Sequence, residues 1–221
     1  MTGSAAAAPS QTRIKAKYLL FAALGLVFAY VLAHNERFLL DKADPEWPHI
    51  QTFKWWLLPH AIGGACALIL APMQFSERLR NRFRRLHRVV GYIYCAGVLI
   101  AAPLGFYIQH FEEGMGGTRS FSVAAGMQAI NWTATTAIAL FFILRGKTQL
   151  HRQWMTRSFA VALVFLEVRI ILGVTGWDQL PPDKIPDEAV VWFCNVMAIP
   201  LADIALQWRD FWTPAARRTQ H

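Results

Sequence analysis

Apolar residues run through this chain in six long blocks separated by short polar segments: Tyr18 to Ala33, Trp55 to Phe75, Val89 to Ile108, Phe121 to Leu144, Met155 to Val174 and Ala189 to Trp208. A hydrocarbon core about 30 Å thick takes roughly 20 helical residues to cross. In lipid every backbone N–H and C=O must be satisfied within the protein, so each block predicts a helix and not an open strand. The pattern therefore predicts an all-α fold, a six-helix transmembrane bundle over residues 18–208. Tails of 1–17 and 209–221 flank it, and no appended soluble domain is expected.

Composition agrees, with 55% hydrophobic and only 16% charged residues. Charge adds an orientation. Most of the 22 Lys and Arg fall in alternate segments: Arg13, Lys15 and Lys17; Arg78 to Arg88; Arg145, Lys147, Arg152 and Arg157; Arg209, Arg217 and Arg218. The intervening segments carry most of the acids, among them Asp41, Asp44, Glu112, Glu113, Asp178 and Asp183. By the positive-inside rule both termini are cytoplasmic, and the expected location is the cell inner membrane, multi-pass. Trp47, Trp55, Trp56 and Tyr107 then belong to the outer interface, and Tyr18, Tyr92, Trp154 and Trp208 to the inner one. The first block ends Val31-Leu32-Ala33, which imitates a signal-peptide cleavage site. A retained helix fits the charge pattern better. The +8 net charge is read as topology plus attraction to anionic lipid. The arginines between Ser76 and Arg88 are accounted for by that loop, and no nucleic-acid partner is expected. Cys66, Cys95 and Cys194 lack metal or redox spacing and read as small apolar packers.

One tripeptide occurs twice, Leu86-His87-Arg88 and Leu150-His151-Arg152, each time just before a block that runs outward. Both histidines are thus expected at one depth, near the cytoplasmic boundary. Two imidazoles on different helices are the axial ligand set of a b-type haem, and Arg88, Arg152 and Arg157 lie close enough in sequence to hold its propionates. The competing reading is that arginine snorkels to phosphates and histidine tolerates an interface. Testing for a duplication at the same 64-residue offset sets His60 over Ala124 and Gln74 over Ile138, so the repeat does not extend beyond the tripeptide.

A second constellation comes from depth. Counting about 1.5 Å per residue inward from the outer boundary, His60, Gln128, Glu167, Arg169 and Asn195 all fall about 8 to 10 Å down. Polar groups at such depth normally face the bundle interior with partners. His60 with Glu167, and Arg169 with Asn195 or Gln128, are the expected pairs. This layer is read either as a small-molecule or quinone pocket or as a structural hydrogen-bond layer. His60 lies about 22 Å from the cytoplasmic end of its helix, so it and His87 cannot share a metal. Asp203 falls at the inner depth, as a salt-bridge partner for Arg88 or Arg157. Gly63, Gly64, Ala65, Ala67 and Ala71 would let a neighbouring backbone approach closely. The glycines at 114–117 lack the strand and helix of a phosphate loop, and no discontinuous spans suggest a transporter.

His60 to Leu68 with Ala71-Pro72-Met73-Gln74-Phe75, Leu86-His87-Arg88 with Gly91 and Tyr92, and His151-Arg152-Gln153-Trp154-Met155-Thr156-Arg157 together resemble the predicted membrane proteins grouped as domain of unknown function 2306. The likeness covers roughly residues 55 to 175. It implies a helical membrane bundle and directs attention to His60, Gln74, His87, Arg88, His151, Trp154, Arg157 and Arg169. The leading functional expectation is a redox protein with haem b on His87 and His151, exchanging electrons with a quinone or small reductant. A non-enzymatic transporter or assembly factor using the outer layer is the alternative.

Overall fold

Helix formation follows the hydropathy blocks and in most cases runs past them, by seven residues at the start of α7. A computed structural model describes residues 16–34, 41–44, 47–111, 118–177 and 187–211. The long helices are α1 (Ala16–His34), α3 (Lys54–Gln74), α5 (Arg84–Phe111), α6 (Arg119–Leu144), α7 (Thr148–Thr175) and α8 (Asp187–Phe211). Two short ones, α2 (Trp47–Ile50) and α4 (Glu77–Arg82), sit in the connections and were not expected. Hydropathy marks where a helix crosses hydrocarbon, whereas its hydrogen bonding continues into the interface. His87 and His151 consequently lie in the first turns of α5 and α7, and not ahead of them. The tails expected at 1–17 and 209–221 fall largely outside the described residues.

Five helices, α3, α5, α6, α7 and α8, are long and apolar enough to cross a membrane, while α1 contributes a shorter apolar stretch, Leu19–Ala33. The exterior is apolar as well: Ile62, Ile69, Leu99, Ile130, Val174, Phe193 and Val196 are all exposed. An apolar exterior suits lipid as the surrounding solvent. Exposed to water such a surface would cost free energy, a cost that a surrounding of lipid removes.

With no hydrophobic drive between helices in lipid, close packing has to hold them together. The tightest seam joins α3 to α5. A Cβ on Gly63 would sit 2.7 Å from the Gly97 carbonyl oxygen, and one on Gly97 would sit 2.6 Å from that of Gly63. The two backbones touch because neither residue has a side chain. Ala67, Ala71 and Ala101 continue the seam, all with essentially no exposure. Gly146, at φ 70, turns the chain tightly between α6 and α7 in a left-handed conformation that glycine adopts without steric cost. That turn makes α7 antiparallel to α6 and hence parallel to α5.

A hydroxyl triad crosses the centre of the bundle. Tyr94 of α5 and Ser158 of α7 share a hydrogen bond of 2.8 Å, and Ser158 and Thr136 of α6 share another of 2.7 Å. Thr136 also donates to the Trp132 carbonyl of its own helix at 2.8 Å. All three hydroxyl-bearing residues are buried. Ser158→Ala would remove the central member and leave a buried phenol poorly satisfied, a loss of about 1 to 2 kcal/mol. Tyr94→Phe should cost less, because the Ser158 to Thr136 bond survives it. Thermal unfolding of the two variants in one detergent checks the order, and equal midpoints would refute it.

Candidate functional site

The Tyr94 to Ser158 bond sets the register of α5 against α7. His87 precedes Tyr94 by seven residues and His151 precedes Ser158 by seven. Seven residues come within about 20° of two full helical turns. Each histidine therefore shares a face with its hydroxyl partner and lies about 10 Å closer to the basic end. At this register the two histidines stand at one level on parallel helices. They lie within electrostatic range of each other, and Arg80 of α4 lies within range of His87.

The rings differ in their surroundings. His151 Nδ1 lies 2.9 Å from the Ala139 carbonyl oxygen of α6. A ring N–H donated to a carbonyl fixes the tautomer and leaves Nε2 with its lone pair available, the arrangement that positions metal-binding histidines. Among the described residues, His87 Nδ1 is buried without a hydrogen-bond partner. Its backbone is tied to α3 instead: Gln74 Nε2 donates to the His87 carbonyl at 3.1 Å. The Gln74 side chain fits there because Gly91 has none, a Cβ on Gly91 falling 3.2 Å from Gln74 Oε1.

Arg88 and Arg152 are exposed beside the two histidines. Arg157 is engaged elsewhere, as the sequence allowed. Its guanidinium meets Asp203 Oδ1 of α8 at 2.6 Å through Nη2 and 2.8 Å through Nε, and lies 4.8 Å from the centre of the Trp154 ring. Asp203→Ala should cost only about 1 kcal/mol, because the pair is partly exposed and water screens it. The double variant with Arg157→Asp and Asp203→Arg should recover most of that in a thermal melt. A double variant no better than either single would show that the pair carries no coupling.

The outer residues share a level but do not converge. His60 Nδ1 lies 2.7 Å from the Ala101 carbonyl oxygen of α5, with its ring over Gly105, where a Cβ would come within 2.7 Å of it. The expected pairing with Glu167 is replaced by this backbone contact, because Gly105 opens a slot for the imidazole on α5. Gln128 reaches the Val161 carbonyl of α7 at 3.4 Å. Asn195 donates to the Val191 carbonyl of its own helix at 3.0 Å, and among the described residues its buried Oδ1 has no partner. The Arg169 guanidinium lies 5.6 Å from the Phe165 ring centre. Glu167 is half-buried, within electrostatic range of Cys194. Their bonds go mostly to backbone carbonyls, as in a structural layer.

Sequence reasoning missed the hydroxyl triad, Gly97 and Gly105, and also Trp132, whose buried indole lies within reach of the Tyr94 hydroxyl. Among the described residues no three or more His, Cys, Asp or Glu side chains gather as a metal site. A bare zinc ion, which wants four protein ligands or three and water, is poorly served by two imidazoles. A porphyrin iron brings four nitrogens of its own and needs no more than two.

No curated protein and no solved structure matches this chain. A family model described as a predicted membrane protein, domain of unknown function 2306 (DUF2306), matches residues 57–206, a stretch that includes α5 to α7 and both inner histidines. With most of its length matched, the chain belongs to this family of predicted membrane proteins.

Proposed function

We propose that this protein is a membrane redox carrier in which His87 and His151 ligate one b-type haem near the cytoplasmic face. The observation that supports the reading is the parallel, in-register placement of α5 and α7, which sets two histidines at one depth within electrostatic range of each other. The donor set fits. His151 is oriented by its bond to Ala139 with Nε2 left over, and His87 holds a buried ring nitrogen without a partner, an atom that costs free energy until something satisfies it. Haem supplies reversible one-electron exchange when bound. The protein's part is to orient the His151 ring through Ala139, to tie the His87 backbone to α3 through Gln74, and to offer Arg88 and Arg152 to the propionates.

The electron partner is a quinone or small reductant. In the outer layer the Glu167 carboxyl and Asn195 Oδ1 have no hydrogen bond among the described residues and suit such a ligand better than His60, whose Nδ1 is committed to Ala101. The test is a dithionite-reduced minus oxidised spectrum of protein purified after expression with ample haem supply. A sharp α-band of a low-spin haem is expected. A flat difference spectrum from folded, monodisperse protein would reject the reading.

A further inference from the structure

The corner between α4 and α5 carries a second feature, independent of the histidine pair. Ser76 opens α4, its Oγ accepting from the Leu79 N–H at 3.3 Å. Phe83 then leaves the helical conformation at φ −124, ψ 59, and α5 begins at the next residue. The break folds a short basic helix against the start of a long one. It leaves a shallow cavity of about 560 Å³ lined by Asn81, Arg82, Phe83, Arg84, Arg85 and Leu86.

All six lining residues are exposed, Phe83 at 50% and Leu86 at 45%. The Arg82 guanidinium rests 5.8 Å from the Phe83 ring centre. Among the described residues Arg82, Arg84 and Arg85 form no ion pair, unlike Arg157. Arg80 differs again, being half-buried and within range of His87. Three unpaired guanidinium groups around one concavity, with two exposed apolar side chains at its rim, present both halves of an amphiphile's complement. The guanidinium groups bind phosphate oxygens, and Phe83 and Leu86 meet the first carbons of acyl chains.

We infer that the α4–α5 corner is a binding site for an anionic phospholipid headgroup. Free phosphate shares the headgroup chemistry but makes no use of Phe83 and Leu86, and a zwitterionic lipid offsets its phosphate with its own ammonium group.

Native mass spectrometry of the full chain, delipidated in detergent and titrated with phosphatidylglycerol or phosphatidylcholine, tests this directly. Wild type is expected to retain phosphatidylglycerol at least about tenfold more strongly, given the contribution of each surface cation. The variant Arg82→Gln with Arg84→Gln and Arg85→Gln should lose that preference. Phe83→Ser, with every charge kept, should weaken phosphatidylglycerol retention while leaving inorganic phosphate binding unchanged. Equal retention of both lipids by wild type would overturn the proposal, as would an undiminished preference in folded triple variant. Competition by millimolar inorganic phosphate that fully displaces the lipid would reassign the site to free phosphate and overturn it too.

Discussion

His87→Ala and His151→Ala are each expected to abolish the low-spin α-band, whereas His60→Ala should retain it at wild-type height. The separation follows from register. His87 and His151 lie two turns from the Tyr94 to Ser158 bond on the same faces of parallel helices, so neither has a substitute at its level. His60 sits at the other end of the α3–α5 seam, bonded to Ala101. Loss of the band through misfolding is distinguished by adding imidazole to the purified variants. A cavity left by a missing ligand admits free imidazole and restores a low-spin spectrum, while a collapsed bundle does not. Retention of the full band in both single variants would remove the pair from any role as ligands.

Depth and face were legible in the sequence because both are local properties. Hydropathy marked the five helices that are long and apolar enough to cross a membrane, and the matched Leu-His-Arg segments put two histidines at the same position in parallel helices. Tyr94 and Ser158 stand at the same 64-residue offset as His87 and His151. Polarity recurring at that offset was the readable sign that α5 and α7 run in register. It reflects two parallel helices that both pack against α6 and does not require duplicated segments.

Partners were harder to read. His60, His151 and Gln128 turn to the carbonyls of Ala101, Ala139 and Val161. A backbone acceptor carries no sequence signature, since every residue has one. Pairing Glu167 with His60 assumed that buried polar side chains seek each other, and Gly105 provided a slot on a different helix. Arg157 did find Asp203, because two opposite charges at one depth leave fewer alternatives.

The α3–α5 seam yields the other large expected effect. Gly97→Ala should destabilise the bundle by about 1 to 3 kcal/mol, the usual range for overpacking, and Gly64→Ala should leave it unchanged or up to about 1 kcal/mol more stable. The substitution adds the same methyl group to a helical glycine in both cases, so helix propensity favours alanine equally at each site. Surroundings alone differ. At Gly97 the new Cβ would meet the Gly63 carbonyl oxygen at 2.6 Å, a backbone atom that no rotamer change can move, while at Gly64 nothing lies within 4 Å. Relief requires the two helices to part along the whole seam. That movement would draw Gln74 away from the His87 carbonyl and His60 away from Ala101. Gly97→Ala should therefore lower the thermal midpoint and broaden any haem spectrum together, although residue 97 lies about 15 Å from His87 along α5. Equal melting of the two alanine variants would mean that α3 and α5 do not pack through these glycines.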